Sequence, residues 1–403
     1  MRDVTETIRR ALSPDAVPYA PPAEAAQPSM DEAQVAGSFE TCQFSNHAGS
    51  RAYKLYVPAG NPAEARPVIV MLHGCTQSPD DFATGTRMNR LADEHGFLVV
   101  YPEQPAQANP SKCWNWFKPQ DQARDAGEPS LIAGIVQQVA QGHGVDRGRI
   151  FVAGLSAGAA MAVVLGECYP DLFAGVGAHS GLPYGSASDI PSAMAAMKGG
   201  RSGMPGVRAA ASTGRATRPV PTIVFHGDRD HTVQPSNGAV IVRQAQDAYL
   251  ARAGQGPLNA ITLEDASDAG RAYRLTRYVD SAGEVRLESW IVHGAGHAWS
   301  GGDARGSHAD PRVRMRRRRW FASSSRCRAR GSARAVEAGW HAAAGACVFH
   351  RTDMPPVGAQ AAGNSRRPHG KEIPRQLCRC RRCLHVRGRA HRRPDGCRPD
   401  AAR

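Results

Sequence analysis

The stretch that most constrains the fold is a five-residue turn held between an apolar strand and a helix of small residues. Ile150-Phe151-Val152-Ala153 reads as a short buried strand. Ala159-Ala160-Met161-Ala162-Val163-Val164-Leu165 reads as a helix, and Gly154-Leu155-Ser156-Ala157-Gly158 lies between them. Reversing from strand to helix over so few residues crowds the backbone, which explains a glycine on either side and a serine held in a strained conformation. The helix then points its N-terminus at that serine, where backbone N–H groups favour negative charge. A G-x-S-x-G pentapeptide alone is a weak signal, because small residues cluster by chance. The strand before it and the helix after it make Ser156 a candidate nucleophile and not an incidental serine in a glycine-rich turn.

From Arg51 to about Pro311 short apolar runs alternate with helical ones. Strands are predicted at Arg51–Val57, Val68–Leu72, Phe97–Tyr101, Arg149–Ala153, Phe173–His179, Pro221–Phe225, Ala272–Val279 and Val285–Val292. Helices are predicted near Thr86–His95, Leu131–Gln141, Ala157–Cys168 and Asn237–Ala253. Continuous apolar strands alternating with helices imply an α/β class, with a mostly parallel central sheet covered by helices on both faces. The turn Asp280-Ser281-Ala282-Gly283 predicts that the last two strands pair as a hairpin. Residues 182–218, rich in Gly, Ala, Ser and Met, read as an excursion over the sheet in the manner of a lid.

Three further strand ends carry chemistry. Val68–Leu72 runs into His73-Gly74-Cys75-Thr76-Gln77, a strand end that would supply one oxyanion N–H. The expected donors are the backbone amides of Cys75 and Ala157, with His73 tying the loop down. A disulfide, for instance to Cys113, is a rival role for the Cys75 side chain and would leave its amide free to donate. Val220–Phe225 leads into His226-Gly227-Asp228-Arg229-Asp230-His231-Thr232-Val233. Asp230, farther out on the loop, is the candidate acid, while Asp228 braces the turn. Past the last strand, Gly294 and Gly296 let the loop carry His297 back toward the serine, and His293 is read as structural. The order Ser156, Asp230, His297, each after its own strand, describes a charge-oriented base activating a serine. The body has no metal-ligand spacing, so neither metal nor cofactor is expected. Trp114, Trp116 and Trp299 are candidates to line an apolar substrate cleft.

These segments resemble the poly(3-hydroxybutyrate) depolymerase family of esterases, a branch of the α/β-hydrolases, over roughly residues 38–311. The resemblance rests on Leu72-His73-Gly74-Cys75-Thr76-Gln77, Cys113-Trp114-Asn115-Trp116-Phe117 and Gly154-Leu155-Ser156-Ala157-Gly158. It extends through Tyr169-Pro170-Asp171-Leu172-Phe173, His179-Ser180-Gly181-Leu182-Pro183-Tyr184 and Gly296-His297-Ala298-Trp299-Ser300-Gly301-Gly302. It implies hydrolysis of carboxylic esters, often hydroxyalkanoate polymers or oligomers, and an extracellular setting. Feruloyl and acetylxylan esterases are the nearest rivals on substrate. No Thr-rich linker or surface-binding module is recognisable, which favours short oligomers or small esters over crystalline polymer.

Composition separates the body from the C-terminal tail. The chain carries a formal net charge of +14, with 50 basic and 36 acidic residues. Residues 312–403 hold 23 Arg, 1 Lys and 5 acidic residues, whereas residues 1–311 have an excess of 5 acidic residues. Residues 1–37 read as a flexible leader with no secretory h-region, and no apolar run is long enough to span a bilayer. Four cysteines in the body, Cys42, Cys75, Cys113 and Cys168, do not make a disulfide-dense scaffold. The tail has three readings. It is a basic arm for nucleic acid or anionic surfaces on a hydrolase scaffold, a Cys/His metal cluster without a recognisable spacing, or a shifted reading frame. The last is preferred, so no specific nucleic-acid partner is expected. Read one nucleotide earlier, Arg312–Ser324 forces an alanine after Met315 and a valine after Trp320 and can read Gly-Pro-Asp-Ala, three free positions and Met-Val-Arg-Phe-Phe, an amphipathic ending that such a domain needs. Residues from about Val313 onward would then have no selected fold, and one sheet face would lack a covering helix.

Overall fold

A computed structural model describes residues 37–60, 65–199, 219–251, 255–265 and 270–312. The tail after Arg312, the leader before Gly37 and part of the predicted lid, residues 200–218, lie outside these described residues.

Among the described residues ten strands form one sheet. In chain order they are β1 (Ser38–Asn46), β2 (Gly49–Val57), β3 (Arg66–Leu72), β4 (Leu98–Pro102), β5 (Val145–Leu155), β6 (Gly175–His179), β7 (Thr222–Gly227), β8 (Asn259–Asp265), β9 (Tyr273–Val279) and β10 (Val285–Val292). Their spatial order is β1-β2-β4-β3-β5-β6-β7-β10-β9-β8. The centre, from β4 through β3, β5, β6 and β7 to β10, is parallel. Antiparallel pairs close both ends: β2 on β4 and β1 on β2 at one side, β9 on β10 and β8 on β9 at the other. The hairpin read from the Asp280 turn is β9–β10. The outer strands β1 and β8 went unread, because half-exposed edge strands carry no continuous apolar run.

Both faces of the central strands are covered, as their composition requires. Alternate residues of β3 divide between two apolar clusters, Val68, Val70 and Leu72 on one side and Ile69 and Met71 on the other. The first side is packed by α3 (Gly127–Gly142), α4 (Ala157–Cys168) and α6 (Ser236–Leu250). The second is packed by α1 (Pro79–Thr86) and α2 (Met88–His95). The helix predicted over Thr86–His95 is α2, which starts after Arg87, whose φ of 58° is left-handed, and α1 ahead of it was not predicted. Ser78 caps α1 by accepting the Asp81 N–H, and Pro79 occupies a position whose N–H has no helical partner in any case. Within the predicted lid, the described part holds a short helix, α5 (Ile190–Met197), capped by Asp189.

The position of α4 fixes the centre of the molecule. It is apolar on all sides and almost wholly buried, and it starts directly from Ser156, which has φ 58° and ψ −120°. Gly154 and Gly158 allow this. A Cβ on Gly158 would lie 2.6 Å from the His73 carbonyl oxygen and closer still to that of Leu72, while one on Gly154 would strike Gly158 itself. The backbone of β3 therefore lies directly against the start of α4. Gly158→Ala should cost about 1–3 kcal/mol through overpacking against these carbonyls. The thermal midpoint should then fall by several degrees relative to the parent chain in a calorimetric or circular-dichroism melt.

Candidate active site

Parallel strands present their C-terminal ends along one edge, and the candidate residues follow those ends. Ser156 follows β5, Asp230 lies beyond β7 and His297 beyond β10, with the His73–Gln77 loop beyond β3. β6 lies between β5 and β7, and its last residue joins the two sides of the site. The His179 carbonyl accepts the Ser156 N–H at 2.9 Å. The His179 ring reaches the segment just past His297: its Nε2 accepts the Ser300 N–H at 3.0 Å and lies 2.9 Å from Ser300 Oγ. The sequence marks His179 only as the end of a predicted strand and the start of a segment that resembles the family, with no role of its own.

The acid and the base meet. Asp230 is buried, and its Oδ2 accepts from His297 Nδ1 at 2.8 Å. Its other oxygen accepts the N–H groups of Thr232 and Val233 at 3.0 and 2.9 Å, fixing the carboxylate plane. His226 lies at 3.4 Å from Oδ2 and makes its shorter contact, 2.8 Å, to the Val233 carbonyl, so Nε2 carries a proton directed to this corner. Burial pushes the Asp230 carboxyl up, but hydrogen bonds from His226 and His297 outweigh it and hold the group well below its usual range. With Nδ1–H committed to an ionised carboxylate, His297 Nε2 is a bare lone pair. It is buried and, among the described residues, has no hydrogen-bond partner. Ser156 and His297 are therefore not joined by a hydrogen bond, a contact that often tightens only when substrate is bound. Asp228 sits apart, accepting from His293 Nδ1 at 2.9 Å and from the Gly294 N–H at 2.6 Å, which braces the start of the histidine loop.

The His73–Gln77 loop lies beside the serine, and a Cβ on Gly74 would be 3.7 Å from Ser156 Cβ. Gly74 N–H donates to Gln77 Oε1, Thr76 N–H to the Ser111 carbonyl and Gln77 N–H weakly to the Gly74 carbonyl. Among the described residues no acceptor is seen for the Cys75 N–H. The Ala157 N–H is the first of α4 and has no acceptor within the helix. Of the two roles open to Cys75, the side chain takes the disulfide, with Cys113.

The three tryptophans correct the expected cleft. Trp114 is fully buried, and its Nε1–H donates to the His73 carbonyl at 3.1 Å, so the indole supports the loop from beneath. Trp299 is buried too, stacked on His179 at 5.3 Å and edge-on to Phe82 at 5.6 Å. Trp116 packs edge-on against Phe117 and is 6 % exposed. Their faces are occupied by protein, because holding two loops against the sheet takes large apolar surfaces at these points. Among the described residues no cluster of His, Cys, Asp and Glu suited to a metal ion is found.

The family model described as Esterase PHB depolymerase matches residues 51–255, half of the chain. The chain belongs to this family. It is 34% identical over 263 residues to poly(3-hydroxyalkanoate) depolymerase C of Paucimonas lemoignei, a match covering 64% of this chain and 61% of that protein. It is 36% identical over 155 residues to feruloyl esterase B of Neurospora crassa, covering 36% of this chain and 50% of that one. The matched part of the chain thus spans between half and about three fifths of the length of these relatives. Among solved structures, an acetyl xylan esterase from Aspergillus awamori superposes with a TM-score of 0.54 at 24% identity, over 65% of this chain and 94% of that one. The fold of this esterase-family chain is that of the α/β-hydrolases.

Two buried histidines make this family member's fold sensitive to acid. His73 Nε2 accepts the Gln104 N–H at 3.1 Å and His179 Nε2 accepts the Ser300 N–H, and each bond requires a neutral ring. Burial pulls His73 down to about 4. Burial, with repulsion from His226 and His297, pulls His179 down to about 3. Both values lie below that of the unfolded chain, so the unfolded state takes up protons first. Their contribution should be complete above pH about 6.5 and should fall by at most about 1.4 kcal/mol per pH unit per ring as the pH drops toward 4. Urea midpoints measured from pH 7 to 4 should decline, and the decline should be shallower in His73→Gln and His179→Gln than in the parent.

Proposed function

We propose that this chain is a serine carboxylic-ester hydrolase using Ser156, His297 and Asp230, with the Cys75 and Ala157 amides as oxyanion donors. The observation that carries this reading is the Asp230–His297 hydrogen bond, which leaves a buried, unpartnered Nε2 at the same edge of the sheet as a strained serine. His297 Nε2 takes the Ser156 proton as Oγ attacks the ester carbonyl. The developing oxyanion is met by the two amides, and Asp230 stabilises the imidazolium. The imidazolium gives its proton to the leaving alcohol. Water, deprotonated by the same nitrogen, then releases the acid from the acyl-enzyme. Every proton is returned within the cycle, so the reaction needs no cofactor.

The substrates proposed are hydroxyalkanoate oligomers and other short-chain esters, in keeping with the family and with the relative from Paucimonas lemoignei. The match to a feruloyl esterase favours aryl esters as a second reading. An extracellular setting is supported by the disulfide behind the oxyanion loop, a bond that persists in oxidising compartments. Among the described residues no helix is long and apolar enough to cross a membrane.

Ser156→Ala should abolish p-nitrophenyl butyrate turnover, and Asp230→Asn should lower kcat on the order of 10⁴-fold by favouring the wrong imidazole tautomer. Stopped assays with hydroxybutyrate oligomers and methyl ferulate decide the substrate class by kcat/KM. Unchanged turnover in Ser156→Ala, with salt-sensitive retention on nucleic acid, would instead favour the basic-arm reading.

A further inference from the structure

Four attachments of the loop carrying the Cys75 amide come from residues 104–114, beside those that Gln77 Nε2 makes to Asp81 Oδ2 and to the Ser307 carbonyl and hydroxyl. The Gln104 N–H bonds His73 Nε2, the Ser111 carbonyl takes the Thr76 N–H, Cys113 is bonded to Cys75 through sulfur, and the Trp114 indole bonds the His73 carbonyl. This segment contains no helix or strand, so its own shape must be fixed from elsewhere. Both of its ends meet one side chain. Glu128, in the first turn of α3 and 3 % exposed, accepts Gln104 Nε2–H at 2.5 Å and Asn115 Nδ2–H at 2.6 Å on Oε1, and the Asn115 N–H at 2.7 Å on Oε2. Gln104 also donates to the Cys113 carbonyl at 2.9 Å, which closes the segment on itself. Arg51 lies 3.5 Å from Oε1, and the Glu128 N–H is held by Asp121 Oδ1 at 2.7 Å.

We propose that Glu128 is a positioning residue for ester hydrolysis, holding the segment that aims the Cys75 N–H at the oxyanion. This role rests on the serine-hydrolase reading of the site. Glu128 touches none of the candidate reacting atoms and acts only through residues 104–115. A carboxylate suits this place because it is an acceptor on both oxygens and all three amide groups facing it are donors. A glutamine fits the space but fails the chemistry. In one orientation its NH₂ opposes the Asn115 backbone N–H, and in the other it opposes two side-chain amides. The segment then shifts, and a displaced oxyanion donor lowers transition-state stabilisation without altering ground-state binding.

The test uses the full chain at a temperature where circular dichroism shows it folded. In Glu128→Gln the kcat for p-nitrophenyl butyrate should fall at least about tenfold while KM stays within about twofold, since loss of a whole donor costs roughly 10²–10³. Affinity for butylboronic acid, whose tetrahedral serine adduct needs the same donors, should weaken by a matching factor, and Glu128→Asp should restore part of both. If Glu128→Gln does not fold, Gln104→Met, which removes the side-chain bonds to Glu128 and to the Cys113 carbonyl and keeps the packing volume, carries the same expectation. A folded variant with unchanged kcat and boronate affinity overturns the proposal, as does a rise in KM alone. Ser156→Ala keeps the two failures apart: if it is inactive while folded Glu128→Gln retains full kcat, only the positioning role falls. If it retains turnover, the hydrolase reading itself falls.

Discussion

The approach of one backbone to another at Gly158 is the constraint on which the rest of this structure depends. Because no Cβ intervenes, the carbonyls at the end of β3 rest against the first turn of α4. The loop leaving β3 is thereby held beside the serine that starts the helix. A strained backbone at that serine costs of order 1–3 kcal/mol, and it persists because buried elements on every side over-determine it. The same closeness explains why α4 is apolar all round: it fills the centre of one face and has no side directed at water.

Four histidines near this edge do different work, set by which nitrogen each uses. His73 and His179 accept backbone N–H groups, and burial keeps both neutral. His226 gives its Nε2 proton to a carbonyl beside the acid. His297 sets a carboxylate at 2.8 Å on one nitrogen against an unpartnered second nitrogen, whereas His226, whose Nδ1 is also unpartnered, lies 3.4 Å from that carboxylate and makes its shorter contact to the Val233 carbonyl. That asymmetry is the site's chemical identity. It comes from loop geometry after β7 and β10, since an imidazole has the same intrinsic chemistry at all four positions.

Much of this was legible in the residues. Central strands fully buried on both faces are continuous apolar words, so β3, β4, β5, β6 and β7 and the helix after Ser156 could be read directly. The hairpin β9–β10 followed from its turn. What escaped were features without a local signature. Helix α1 is short and half polar, and the left-handed Arg87 that separates it from α2 has no signature in an arginine. The burial of Trp114 and Trp299 depends on partners far along the chain, His73 for the one and Phe82 and His179 for the other. Glu128 sits in a helix start that looks solvent-facing in sequence, and its partners at residues 104 and 115 come from an irregular loop that carries no periodicity.

The strand order has a consequence for how such a chain acquires activity. β5 and β6 become neighbours through a short crossover, whereas more than seventy residues separate β3 from β5 and more than fifty separate β7 from β10, β8 and β9 included. Closing so long a loop is entropically slow compared with forming the local β9–β10 hairpin. The candidate serine's turn rests on the β3–β5 pairing and the candidate histidine on the β7–β10 pairing, so both wait on long closures, while the β9–β10 hairpin can form first and dock as a unit. The proposed site is therefore completed late in assembly, a delay that arises from topology alone.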